Sequence, residues 1–507
     1  MSTTFRYNRP NNLEILKSPK LSVAVVIACR DGQEKLDLLL ASLTAQTYPQ
    51  RLTSIYIVDD GSYKRLKLPS IRPAKSKLVY LKNTGQSWGK TQAVNHLIKQ
   101  VKQDVIWCID ADMVLHPDHL AQMMKWHHNS SDYLVLGWKR FVSNWSYTPS
   151  KLLQELGSGN FSKLHPVSEG KESWESLVSA TKQLQEVSLE SFRALVGATF
   201  SITRSNWLKL GGYNPLFKTG EDTELGWRVL IAGLRMVPEE KALSWHLGIS
   251  TVEQNQKSVI AHNQPLFANY IPALNYLRNK SPINWQVAEN QVIIDCRRMS
   301  LESFKQVSNQ FLTDTTAQAR FKLLATWSVL DGRYKVTADS YKEIRAIKRF
   351  VQSDDRFEFI TVADQAQLDI HEILEFAHST ATPFIYFIEG NPDQRIIYKA
   401  LRRKMNKSKN GLEGLVDALD QRAFILYAPA LNRARNTAGN IYKNIEDQWG
   451  ICWAEVGEFD FTKRLSITNI FPMVALGLRS FAKIRRPKQL KNFVKRIFVV
   501  LKNSRSY

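Results

Sequence analysis

The chain has 507 residues, 44% of them hydrophobic, with a formal net charge of +22, which suggests two to four domains with ample cores. It shows no apolar run approaching the roughly 20 residues that span a bilayer, no secretory signal in the polar start MSTTFRYNRPNN, and four scattered cysteines without a C-x-x-C pair, so neither a zinc site nor a disulfide framework is indicated and a cytoplasmic compartment fits. The charge asks for a negative partner: nucleic acid, anionic lipid or a phosphorylated ligand.

The first predicted element is residues 21–29, LSVAVVIAC, a continuous β-branched run of the kind buried on both faces of a parallel sheet. Leu36, Leu39, Leu40 and Leu43 then follow a helical pattern. Residues 52–58, LTSIYIV, read as a second strand ending in Asp59-Asp60-Gly61-Ser62. A third short strand covers 78–81, a helix 92–101 and a fourth strand 105–109. Alternating strands and helices imply right-handed crossovers and an α/β fold with a parallel sheet. Ligands of such sheets bind beyond the carboxyl ends of the strands, where Asp59, Asp60, Asp110 and Asp112 all fall.

The fourth strand leads into VIWCIDADMVLHP, residues 105–117. If the strand persists, Asp110 and Asp112 share one face. Two such carboxylates repel and need a cation, and hard oxygen ligands suit Mg²⁺ or Mn²⁺. Alone, the pair is more often an ordinary turn. Residues 197–230, GATFSITRSNWLKLGGYNPLFKTGEDTELGWRVL, hold a strand, a Gly211-Gly212 turn and Glu221-Asp222 opening a helix. The acidic pair there is either a helix cap or a functional base. His246, after Trp245, becomes a candidate metal ligand beside a diaspartate.

Together SVAVVIAC, IVDDGS (57–62), IDADMVLHPD (109–118), GGYN and GEDTELGWR (220–228) resemble a family 2 glycosyltransferase of the GT-A fold, over roughly residues 21–248. The last motif is similar to the x-E-D motif of chondroitin-polymerase-type and polypeptide GalNAc-transferase-type enzymes. The resemblance implies that Asp60 and Asp59, with the strand end at Ala28, bind the nucleotide of a UDP-sugar. It implies that Asp110 and Asp112 hold ribose and a divalent ion on the diphosphate, with His246 as third ligand. Asp222 becomes the general base and Glu221 the group that positions the acceptor. Lys90, in NTGQSWGKTQAVN, is either a phosphate contact or a solvated surface lysine. Two departures stand out. The Pro-x-Tyr-Asn of many members is replaced by Ile27-Ala28-Cys29-Arg30, and the Q-x-x-R-W motif of processive synthases is absent.

The second half repeats the first in weaker form. NQVIIDCR (290–297) echoes residues 23–30, FKLLATWSVLDG (321–332) echoes 53–61, TPFIYFIEGNP (382–392) echoes 104–117, and residues 422–456 echo 197–229. Aligned so, Asp59-Asp60 becomes Leu330-Asp331, Asp110-Ala111-Asp112 becomes Glu389-Gly390-Asn391, and Glu446-Asp447 survives. The organisation is therefore a catalytic domain (1–250), a linker (251–284), a degenerate GT-A-like domain (285–460) and a basic tail (461–507). An insert at 141–195 brings Trp145, Tyr147 and Trp174, which either shape the acceptor site or sit in the core.

The tail holds twelve Lys or Arg and no acid, and Leu490, Phe493, Val494, Ile497, Phe498 and Leu501 make one helical face. That reads as an interfacial anchor on an anionic membrane, or as a helix docked on the preceding domain. The expected function is metal-dependent, inverting transfer of a sugar to a glycan or lipid-linked acceptor at the inner membrane face. The rivals are a sugar nucleotidyltransferase, which lacks a Gly-rich phosphate loop in CRDGQEK, and an inert glycan-binding or scaffold protein. No nucleic-acid-binding module is recognisable.

Overall fold

The computed structural model describes residues 5–7, 9–81, 88–142, 145–159, 173–248, 255–278, 283–314, 317–364, 368–377, 381–390, 397–408, 410–416 and 422–455. The tail and Asn391 lie outside the described residues. Among the described residues two large sheets follow one another along the chain, and residues 5–6 pair with 186–187 in a small two-stranded one.

The first opens with β1 (Val23–Cys29), β2 (Thr53–Asp59), β3 (Ser76–Tyr80) and β4 (Val105–Asp110). Their apolar runs bury β1 and β4 on both faces, as a covered parallel sheet requires. They pair in parallel in the order β3-β2-β1-β4. Helices α1 (Gln33–Thr44) and α2 (Lys90–Ile98) lie in the connections. β5 (Met113–Leu115), β6 (Tyr133–Val142), β7 (Thr199–Thr203) and β8 (Arg235–Leu247) extend the sheet in the order β4-β7-β6-β8-β5. α3 (Glu221–Ile231) precedes β8, and α4 (Gln256–Tyr270) occupies part of the expected linker.

The second sheet is built alike from β9 (Asn290–Asp295), β10 (Ala319–Ala325), β11 (Phe357–Thr361) and β12 (Phe384–Glu389), parallel in the order β11-β10-β9-β12. β13 (Leu412–Val416), β14 (Arg422–Tyr427) and β15 (Ile451–Glu455) complete the order β12-β14-β13-β15. Helices α5 (Ala428–Arg435) and α6 (Ile441–Trp449) follow β14. The fold is α/β with two tandem Rossmann-like sheets, as expected.

Register corrects two details of the repeat. Ala28 sits opposite Asp110 and Asp295 opposite Glu389, so Glu389 does stand where Asp110 stands. But Cys29 pairs with Asp59, while Asp295, one position earlier, pairs with Leu324. The counterparts of Asp59-Asp60 are therefore Ala325-Thr326; Leu330 and Asp331 belong to a 3-10 turn further on. Likewise α3 begins with Glu221-Asp222, but α6 begins with Ile441-Tyr442. Glu446-Asp447 lie more than a turn inside α6 and do not take the place of the first pair. Matching acid to acid by sequence had slipped the register. Corrected, the second copy is emptier of carboxylates than the sequence suggested.

Of the insert's aromatics Trp174 is core, while Trp145 and Tyr147 are partly buried against a core cluster. Trp174 is 6% exposed and meets Trp138 edge-on at 4.6 Å, and Trp145 packs against Tyr147 and Trp245 in the cluster under α1. Among the described residues no helix is long and apolar enough to cross a membrane.

Candidate functional site

The strand through Asp110 does not persist. β4 ends at Asp110 and the chain turns, so Asp112 leads into β5, at the far edge of the sheet. The two carboxylates converge because the turn folds the chain back, and because β8 runs beside β5, pairing His246 with Met113. One ligand atom each of Asp110, Asp112 and His246 lies within 4.8 Å of the others. His246 Nε2 is 3.4 Å from Asp112 Oδ1, and its Nδ1 is 3.1 Å from the Gly248 carbonyl. A carbonyl only accepts, so Nδ1 donates there and Nε2 is the ring nitrogen that faces Asp112. The three side chains are thus placed to share one cation. The donor set of two carboxylate oxygens and one imidazole nitrogen fits Mn²⁺ or Mg²⁺.

Lys90 is not a solvated surface lysine. It opens α2 behind Gly89 (φ 95°), and its ammonium lies 2.7 Å from Asp110 Oδ1 and 3.4 Å from Glu221 Oε1 and donates to the Gly197 carbonyl. Burial would lower its pKa, but Asp110, Tyr213 and Glu221 outweigh that and hold the ammonium well above its ordinary range. Glu221 is buried, and burial drives its carboxyl up to about 7 against the pull of Lys90.

Asp222 is fixed from two sides: Oδ2 accepts from the Gly197 N–H at 3.0 Å and Oδ1 from the Thr223 N–H at 2.7 Å. Both acids sit at the amino end of α3, where the helix dipole favours negative charge. Gly220, with φ 73°, turns the chain into that helix, and a side chain there would collide with Asn263 and Phe267 of α4.

Asp60 Oδ2 accepts from the Gly89 N–H at 3.0 Å, tying the loop after β2 to the start of α2. Asp59 spends both oxygens on its own loop, taking the N–H groups of Ser62 and Leu66. Burial raises its pKa, yet these hydrogen bonds prevail and hold it below the usual carboxylate range. Ala28, partly exposed at the end of β1, lies between Asp110 and Val58 in register.

Sequence reasoning missed Lys35. From α1 it donates to the Leu247 carbonyl at 2.7 Å and lies 3.3 Å from Asp112 Oδ2. Its only signal is its place, one turn into the helix after the first strand. Asp60, Asp110, Asp112, Glu221 and Asp222 thus share one sheet edge with two ammonium groups, Lys35 and Lys90. That excess of negative charge is what a divalent cation would relieve.

Residues 19–264 match the family described as glycosyltransferase like family 2. A poly-β-1,6-N-acetyl-D-glucosamine synthase of Staphylococcus epidermidis is 22% identical over 245 residues, 48% of this chain and 54% of that one. The chain spans about half the length of the curated relatives it matches. Among solved structures, the mannosyltransferase PcManGT of Pyrobaculum calidifontis, in complex with GDP-Man and Mn²⁺, is similar at a TM-score of 0.34 and 15% identity, covering 54% of this chain and 69% of that chain. GalNAc-T7 with UDP, GalNAc and Mn²⁺ is similar at 0.35 and 16%, covering 50% and 52%.

Proposed function

We propose that this family 2 glycosyltransferase domain, residues 19–264, transfers a sugar from a UDP-sugar to a hydroxyl of a glycan or lipid-linked acceptor, with Mn²⁺ or Mg²⁺ and inversion at the anomeric carbon. The observation that carries the reading is the convergence of Asp110, Asp112 and His246 beside Lys90, Glu221 and Asp222 on one edge of the first sheet.

Asp110, Asp112 and His246 would hold the ion, which when bound neutralises charge on the departing nucleoside diphosphate. Lys90 and Lys35 add fixed positive charge beside Asp110 and Asp112. Asp60 meets the nucleoside, and Asp59 shapes the loop that presents it. Ala28 leaves room for the nucleotide above the strand ends. Asp222 takes the proton of the acceptor hydroxyl as that oxygen attacks the anomeric carbon. Glu221, its carboxyl raised to about 7 by burial, positions the acceptor. A base on one face and the leaving diphosphate on the other give one displacement, hence inversion.

The relatives' printed product, a polymer of N-acetyl-D-glucosamine, makes UDP-N-acetylhexosamines the first donors to test. The second domain, 285–460, has no catalytic part in this reading, and the basic tail rests on an anionic membrane at the cytoplasmic face. Sedimentation with anionic vesicles of a chain cut after residue 461 tests that last point; undiminished binding overturns it.

The decisive assay is UDP release from UDP-sugars with Mn²⁺. Asp222→Asn is expected to slow it by ~10²–10⁴, the range for a general base, while UDP affinity stays within about twofold. Equal turnover in wild type and Asp222→Asn would sink the assignment.

A further inference from the structure

Helix α3 carries Glu221 and Asp222 at its amino end, and its carboxyl end is built into the second half of the chain. Trp227, Leu230 and Ile231 share one buried cluster with Ile293, Ile385 and Phe424 of the second sheet. The Trp227 indole N–H donates to the Ala381 carbonyl at 3.0 Å. The helix then ends with Gly233 at φ 73°: the Gly233 N–H reaches Leu230 and the Leu234 N–H reaches Val229. This left-handed close satisfies two of the last carbonyls. The Ile231 carbonyl takes its hydrogen bond from α5 instead, where Asn432 Nδ2 donates at 2.7 Å. Next to it Arg433 Nη1 binds Asp132 Oδ2 at 2.8 Å, and Arg235 holds the other oxygen of Asp132 at 2.7 Å. A Cβ on Gly233 would lie 2.6 Å from the Arg433 nitrogen and the Pro429 carbonyl, so α5 and the helix end touch backbone to backbone.

The carboxyl edge of the second sheet, by contrast, is closed by its own ion pairs. Arg297 pairs with Asp295 at 2.6 Å and Arg422 with Glu389 at 2.9 Å. Among the described residues, the second sheet contributes no group of metal-ligating side chains. Its counterparts of Asp59-Asp60 and Glu221-Asp222 carry no carboxylate.

We propose that the second sheet serves the first site mechanically, through α3, and that Asn432 and Arg433 are positioning residues for Glu221 and Asp222. The proposal rests on the reading of those two acids as base and acceptor-positioning group. α3 has 11 residues, a rod of about 16 Å. A tilt of roughly 5° about its carboxyl end moves its amino end by about 1.4 Å, and misplacements near 1 Å are enough to cost about 10²-fold in rate. α4 restrains the amino end at Gly220, and α5 restrains the other. Loosening the second hold lets the rod tilt against its remaining contacts. In this account the second copy serves the first through its helix α5 and the core beneath it.

The test uses the full chain with Asn432→Ala, which removes the hydrogen bond to the Ile231 carbonyl, and Arg433→Lys, which keeps the charge. Three quantities are read: amide exchange across residues 221–231, Mn²⁺-supported UDP affinity, and kcat for UDP release. Expected in both variants are at least tenfold faster exchange in α3 with β1 and β4 unchanged, UDP affinity within twofold, and kcat down tenfold or more. Wild-type exchange in α3, or faster exchange there with wild-type kcat, overturns the proposal. If wild type neither binds UDP nor releases it from any donor, the functional reading fails. The exchange data still decide whether α5 holds α3, and unaltered exchange in both variants refutes it.

Discussion

Glu221 makes stability itself a readout of the site. Its carboxyl is raised from 4.5 to about 7, first by burial and then by the charge of Asp222, against the attraction of Lys90. A carboxyl with a raised native pKa keeps its proton in the folded state after the unfolded chain has lost it. Between pH 4.5 and 7 the native state therefore binds more protons, and stability falls as pH rises. The stabilisation is fully present below pH 4.5 and is lost as pH climbs through about 7. A rise of that size corresponds to roughly 3 kcal/mol. The side chain is 10% exposed, so solvent screening takes little from this. Glu221→Gln removes the titration and keeps the shape of the protonated acid. Urea unfolding of both proteins in chelator from pH 4.5 to 8 isolates the effect. Wild type minus Glu221→Gln is expected to decline by about 3 kcal/mol, most of it between pH 5 and 7.5. A difference that stays flat, or rises with pH, refutes the burial and charge balance assigned to this group.

The ion triplet joining the two halves gives another expectation. Asp132→Asn leaves Arg235 and Arg433 facing each other with little solvent, and loss of one partner from such a buried set costs about 3–5 kcal/mol; thermal unfolding that moves by less than a degree speaks against it. Gly233→Ala is expected to destabilise by more than Gly211→Ala. Both force a left-handed residue, worth ~1 kcal/mol, but at Gly233 the methyl also strikes Arg433 and Pro429, while at Gly211 it meets nothing within 4 Å. Equal losses at the two glycines, measured by denaturant midpoint, would contradict the contact between α3's end and α5.

Much of this was legible in the sequence. The β-branched runs at 23–29 and 53–59 and the apolar stretch before Asp110 could form only buried strands, and the rule that parallel sheets bind at their carboxyl edge grouped the acids correctly. Three things were not legible. Asp110 and Asp112 meet through a turn and a distant strand pairing, which the i, i+2 rule does not describe. Lys90 stayed open between a phosphate contact and a surface lysine because its partners, Asp110 and Glu221, come from other segments of the chain. The repeat was aligned on acid types, whereas hydrogen-bond register puts Ala325 and Ile441 where acids were expected. The hold of Asn432 on Ile231 leaves no local pattern at all, since side-chain caps from another unit follow from packing alone.

The central claim is a divalent cation site at the edge of the first sheet. Its most direct test is electron paramagnetic resonance of Mn²⁺ titrated into the full chain, with and without UDP. The expected result is a single bound ion, tightened by UDP, with affinity at least tenfold weaker in Asp112→Asn and in His246→Ala while both variants unfold like wild type. A wild type that binds no Mn²⁺ even with UDP present, or variants that bind it as well as wild type, would contradict the account.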